Sequence, residues 1–149
     1  MKPDPERRRL LRLAGGTAAA VAVAAAGCGQ PTATELTGPV AAGNVSDLSV
    51  GTWRAVGDSA LVGRDAQGLF AMSTVCTHAR CPAGLVSFQV SDGLYCGCHG
   101  SRFDGQGVVT HGPASRPLAH YRVDLGADGG LTVRGDAAVA ATDRTPIPG

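Results

Sequence analysis

Two short loops, Cys76-Thr-His78-Ala-Arg-Cys81 and Cys96-Gly-Cys98-His99-Gly-Ser101, hold four of the chain's 5 cysteines and two of its 4 histidines. Each loop offers one thiol and one imidazole, Cys76 with His78 and Cys96 with His99, and 17 residues separate the pairs. Thiolate and neutral imidazole together suit zinc or an iron-sulfur centre, so donor type alone leaves the metal open. Spacing narrows the choice. A Cys2His2 zinc finger takes both cysteines from one side and both histidines from the other, and structural zinc spaces its donors more widely than Cys-x-His. A purely disulfide framework has no use for paired histidines, and 5 is odd, so Cys28 needs its own explanation.

From residue 48 onward, short alternating segments separated by turn formers predict an all-β domain. The expected strands cover 49–56, 60–64, 69–74, 85–90, 93–96, 101–103, 107–110, 120–125 and 131–134, with turns at 65–68, 91–93, 104–107 and 126–130. Gly and Pro number 22 and 9 in 149 residues, and only 4% of residues are aromatic. Such a domain buries a small core, to which a metal or a covalent staple would add stability. Charge excludes one class of partner. After Cys28 the chain carries 8 basic and 10 acidic side chains, net −2, which leaves no electrostatic footprint for nucleic acid.

Residues 1–28 read as an address. A basic stretch ending in Arg7-Arg-Arg-Leu-Leu-Arg12 precedes the 15-residue run Leu13–Gly27, rich in Ala and Gly. The order resembles a twin-arginine export signal with Arg7-Arg8 as the pair, although Glu6 stands where Ser or Thr is usual. Ala25-Ala-Gly-Cys28 resembles a lipoprotein processing box, which implies lipidation at Cys28 and a periplasmic, membrane-attached protein. As a helix that run reaches only about 22 Å, short of a hydrocarbon core of about 30 Å, which favours a lipid anchor over an uncleaved membrane-spanning helix. Residues 29–47 read as a flexible tether and residues 137–149 as a frayed tail.

The pattern Cys-x-His, 17 residues, Cys-x-x-His resembles the Rieske [2Fe-2S] family. The resemblance implies an antiparallel β sandwich over residues 48–136 with an inserted cluster-binding subdomain. It also implies one [2Fe-2S] cluster per chain, with Cys76 and Cys96 on one iron and His78 and His99 on the other. Cys81 and Cys98, one in each loop, resemble the disulfide of Rieske proteins from cytochrome bc and b6f complexes. Gly112-Pro113-Ala-Ser-Arg-Pro-Leu118 is similar to the proline-bearing third loop that packs over the cluster in that family. Ser101 matches the serine that donates to a bridging sulfide. Two positions depart from the quinol-oxidising pattern: Phe103 stands where high-potential members carry a Tyr hydroxyl, and Ala79 where Leu is usual.

The mixed ligand set has a direct electrostatic consequence. Two ferric ions, two sulfides and two thiolates cancel in charge, whereas a four-cysteine cluster is two units more negative, so an electron enters the mixed cluster more easily. The resemblance therefore implies a one-electron carrier outside the cytoplasmic membrane, the iron-sulfur subunit of a quinol to cytochrome c (bc-type) oxidoreductase. Its partners would be a cytochrome b, a c-type cytochrome or another redox subunit, and quinol. The small Rieske subunit of an exported molybdenum oxidase, such as arsenite oxidase, is the second expectation, and a zinc-stabilised binding module the third. The chain ends 50 residues after His99, which leaves no room for the mononuclear iron domain of an oxygenase. His111 and His120 fall outside the ligand spacing and read as surface or turn histidines. Trp53 reads as a core anchor.

Overall fold

Side chains alternate across a strand, so a strand buried on both faces must separate two cores. The computed structural model describes residues 32–149, and in it β3 (Ala60–Asp65) and β4 (Gly68–Ser73) are such strands. Leu61, Phe70 and Met72 point into one cluster of buried side chains, and Val62, Leu69 and Ala71 into another. The second cluster lies under a six-stranded antiparallel sheet. Its order is β1 (Pro39–Asn44), β10 (Gly130–Val139), β9 (His120–Leu125), β4, β3, β2 (Thr52–Val56). The first cluster joins this sheet to a smaller one made of β5 (Gly84–Leu85), β6 (Leu94–Tyr95), β7 (Arg102–Phe103) and β8 (Val109–His111).

Strands β4 and β9 pair directly, Ala71 with Tyr121 and Met72 with His120. Residues 74–119 therefore leave the large sheet and return to the same point, which makes the small sheet and both Cys-His loops an insertion. Trp53 anchors this insertion from β2: it is 1% exposed, and its indole N–H donates to the Ser87 carbonyl at 2.7 Å. Gly63 faces Phe70 across β3 and β4, and a Cβ there would lie 2.4 Å from the ring, so only glycine lets the ring lie over the strand. The expected all-β class and antiparallel sheets are both present.

Three local expectations need correction. The stretch read as a tether contains β1, whose Ala42 is buried and whose residues pair with β10. Val40 and Ala42 alternate with exposed neighbours, enough apolar surface to cover an edge that β10 would otherwise leave open. The tail is docked rather than frayed. Thr145 and Leu69 exchange backbone hydrogen bonds at 2.9 Å, and Arg144 reaches Asp65 at 2.6 Å while lying over the Phe70 ring. Residues 85–90 are not a strand beyond Leu85, because the Ser87 hydroxyl takes the Gln89 N–H and bonds Asp92, curling the chain into the short 3-10 turn at Val90–Asp92.

His120 is also not a surface residue. It is 4% exposed, and its Nε2 is buried without a partner. Burial lowers its pKa below the ordinary 6.5, the Leu118 carbonyl opposes that shift, and the charge of Arg144 adds to it. The unfolded chain thus takes up a proton before the folded one. Stability is complete above about pH 6.5 and is lost as pH falls through the lower folded pKa. Urea midpoints measured at about pH 7.5 and about pH 5 should differ more for the native chain than for His120→Phe. An equal drop in both would mean that other groups carry the acid sensitivity.

Candidate metal centre

Both Cys-His loops close with the same backbone hydrogen bonds. Cys76 N–H donates to the Cys81 carbonyl at 2.8 Å and Arg80 N–H to the Cys76 carbonyl at 2.9 Å. Cys96 N–H donates to the Ser101 carbonyl and Gly100 N–H to the Cys96 carbonyl, each at 2.9 Å. In this correspondence Cys76 matches Cys96, Arg80 matches Gly100, and Cys81 matches Ser101. The fifth position of each turn is left-handed, φ 58° at Arg80 and 83° at Gly100. Glycine adopts that conformation freely, and an L-residue there costs roughly 1 kcal/mol.

The turns bury their cysteines and expose their histidines. Cys76 and Cys96 are free thiols, each 1% exposed, while His78 and His99 are exposed with ring centroids 4.7 Å apart in an edge-on arrangement. Burial is the main influence pushing the Cys96 thiol up, and the neighbouring Cys76 adds to it. Backbone N–H groups of Cys98 and His99 oppose the shift by donating towards the Cys96 sulfur. The turn thus supplies the donors that a metal-bound thiolate needs.

Cys81 and Cys98 form a disulfide that joins the two loops across a sequence separation of 17. The sulfurs of Cys81, Cys96 and Cys98 lie within 4.8 Å of one another, but the two in the disulfide carry no thiolate, so this trio is not a three-sulfur metal site.

A third loop, residues 112–118, lies between β8 and β9 and is tied to both turns. Ala114 N–H donates to Ser101 Oγ at 3.0 Å, and Thr77 Oγ1 donates to the Arg116 carbonyl at 2.5 Å. Leu118 N–H donates to the Gly107 carbonyl at 2.9 Å. Pro113 is exposed and follows a cis peptide bond, whereas Ala114 beside it is buried. Thr77 was not singled out in the sequence; its position between two candidate ligands was the available signal. Ala79 is exposed beside His78, and Phe103 is buried in the core behind the loops.

The donor set suits an iron-sulfur group. Two free thiols lie inward and two imidazoles outward, and Ser101 is fully buried with a hydroxyl that accepts from Ala114 but has no protein acceptor for its own proton among the described residues. That hydrogen is available to a sulfide. Cys28 lies outside the described residues. Among those described, no helix is long and apolar enough to cross a membrane.

Comparison with known proteins agrees with this geometry. The family described as Rieske [2Fe-2S] domain matches residues 38–122. The cytochrome b6-f complex iron-sulfur subunit of Chlorobaculum tepidum is 31% identical over 144 residues, covering 87% of this chain and 76% of that protein. The chloroplastic b6-f iron-sulfur subunit of Pisum sativum is 42% identical over 65 residues, 43% of this chain and 27% of that protein. The cytochrome bc1 complex Rieske subunit of Streptomyces lividans is 39% identical over 72 residues, 47% of this chain and 42% of that protein. The chain thus spans less than half the length of the last two. Among solved structures, a chain from the complex of reduced oxygenase and oxidized ferredoxin in carbazole 1,9a-dioxygenase superposes with a TM-score of 0.50 at 25% identity, covering 70% of this chain and all of that one. With the paired turns, the disulfide and the family match over most of its described length, the chain belongs to the Rieske [2Fe-2S] family, with a single cluster of that type.

Proposed function

We propose that Cys76 and Cys96 hold one iron and His78 and His99 the other, and that the chain is the iron-sulfur subunit of a bc-type quinol to cytochrome c oxidoreductase. In this reading it works on the outer face of the cytoplasmic membrane, exported by the twin-arginine route and anchored through Cys28. The bound [2Fe-2S] group supplies a one-electron couple, which in this ligand class spans roughly −150 to +300 mV. The buried cysteines keep water from the sulfur side, and the exposed imidazoles of His78 and His99 give a donor or acceptor its shortest approach. Each imidazole also has a ring nitrogen free to exchange a proton with a quinol hydroxyl. The Ser101 hydroxyl would donate a hydrogen bond to the sulfur of the [2Fe-2S] group and so favour its reduced state, whereas Phe103 has no such donor.

The Cys81–Cys98 disulfide is the observation that carries the bc-type reading, because it locks together the two turns that hold the ligands. The relatedness to b6-f and bc1 subunits supports cytochrome partners. β1 belongs to the sheet, and Ala33 and Glu35 contact Arg80 and Tyr121, so residues 33–44 are part of the domain rather than a tether to it.

The test is an EPR-monitored redox titration of the full chain at several pH values. A Rieske signal with a positive midpoint that falls as pH rises is the expected result. A strongly negative midpoint would place the protein in ferredoxin-like service, and zinc in place of iron would end the redox reading.

A further inference from the structure

The 8 described arginines differ in their partners, and Arg64, on β3, makes no ion pair but donates to the Leu48 carbonyl at 3.3 Å. Arg54, Arg122, Arg134 and Arg144, on the large sheet and the tail, pair with Asp47, Asp124, Asp136 and Asp65. Arg80, Arg102 and Arg116, the arginines of the insertion, are exposed and make no ion pair among the described residues. Arg102 lies over the Tyr95 ring on the outer side of the small sheet. Arg80 and Arg116 lie together, because the Thr77 hydroxyl binds the Arg116 carbonyl and both arginines line one open cavity of about 470 Å³ with Cys76 and Thr77. Glu35 is the acid of that cavity, and its carboxylate takes the Tyr121 hydroxyl.

Arg80 is also at a position that suits glycine, and the equivalent residue of the other turn is Gly100. No hydrogen bond or ion pair of its guanidinium within the described residues offsets that conformation. Arg80 is exposed and lies two positions after His78 in the same turn.

We infer that Arg80 and Arg116 form a cationic rim at the exposed histidine edge, and that this rim receives an acidic face of the protein that exchanges electrons with the cluster. The inference rests on the electron-carrier reading and adds the sign of the partner's surface. It is discriminating because the described residues carry 8 arginines against 10 acids, net −2, so the docking edge has the opposite sign to the domain as a whole.

The experiment uses the reduced, full-length holoprotein and two one-electron oxidants of opposite charge, ferricyanide and tris(phenanthroline)cobalt(III). Each takes one electron from the reduced cluster, giving ferrocyanide or the cobalt(II) complex. The ferricyanide rate should fall as salt rises from about 0.02 M to about 0.5 M, and the cobalt rate should not fall. Arg80→Gln and Arg116→Gln should each lower the low-salt ferricyanide rate about threefold. Arg122→Gln makes the same change of charge on the large sheet and should leave that rate nearly unchanged. A ferricyanide rate that rises with salt, or an equal effect of Arg122→Gln, would overturn the rim. So would arginine-dependent sedimentation with phosphatidylglycerol vesicles in the absence of any anion preference, since the rim would then be a lipid contact. The EPR signal of the same samples separates the two readings: a full signal without charge preference overturns the rim alone, and no signal overturns both.

Discussion

Cys96→Ala is expected to abolish the visible absorption and EPR signal of the iron-sulfur group while leaving the β fold in place. The variant decides which sulfur is a ligand where proximity cannot, since Cys81, Cys96 and Cys98 all lie within 4.8 Å of one another. Cys96 is the free thiol of the three, is buried, and has the N–H groups of Cys98 and His99 directed at its sulfur. Those donors stabilise a thiolate once iron has displaced its proton. Alanine removes the sulfur but keeps the backbone bond from residue 96 to the Ser101 carbonyl, which closes the turn. Iron content per chain and far-UV circular dichroism on the same sample separate loss of ligand from loss of fold. A full iron complement in Cys96→Ala would reassign the site.

Removing the disulfide by joint Cys81→Ser and Cys98→Ser substitution is the second large effect. Closing a loop of this separation, 17 residues, lowers the entropy of the unfolded chain, and its loss should cost about 3 kcal/mol of stability. What remains between the turns is the edge-on contact of the His78 and His99 rings and the third loop, which Thr77 holds at the Arg116 carbonyl and Ser101 at the Ala114 N–H. Hydrogen bonds of that kind contribute about 1 kcal/mol each, too little to replace the bridge. The urea midpoint should fall and the cluster should be released faster. An unchanged urea midpoint together with an unchanged cluster lifetime would show that the third loop suffices.

Much of the site could be read locally because its chemistry is local. Cys76 and His78, and Cys96 and His99, are set within single turns, and the left-handed positions at Arg80 and Gly100 lie four residues after each cysteine. The bridge between Cys81 and Cys98 was expected from family resemblance, and the structure contains it. Strands 60–64, 69–74 and 120–125 were legible within a residue of their observed limits, since apolar alternation there reports burial directly. The limits of this reading are equally physical. Pro39–Asn44 is rich in small residues and turn formers, so it resembles a linker until β10 offers it an edge. Residues 137–149 have no periodicity of their own; Ala138 and Val139 extend β10 along β9, and Arg144 and Thr145 are held by Asp65, Leu69 and Phe70, more than seventy positions away. His120 looked like a spare polar residue because nothing beside it in sequence reveals that Met72 is its partner across β4 and β9.

Sequence alone thus determined the all-β class and supplied the candidate ligands with their mixed donors, all of which depend on near neighbours and on side-chain period. Tertiary structure decided which histidines are exposed, how the third loop ties the turns together, and where the tether and tail are held. It also separated the paired arginines from those left facing outward. These outcomes depend on contacts between segments distant along the chain, and such contacts leave no periodic trace in either segment.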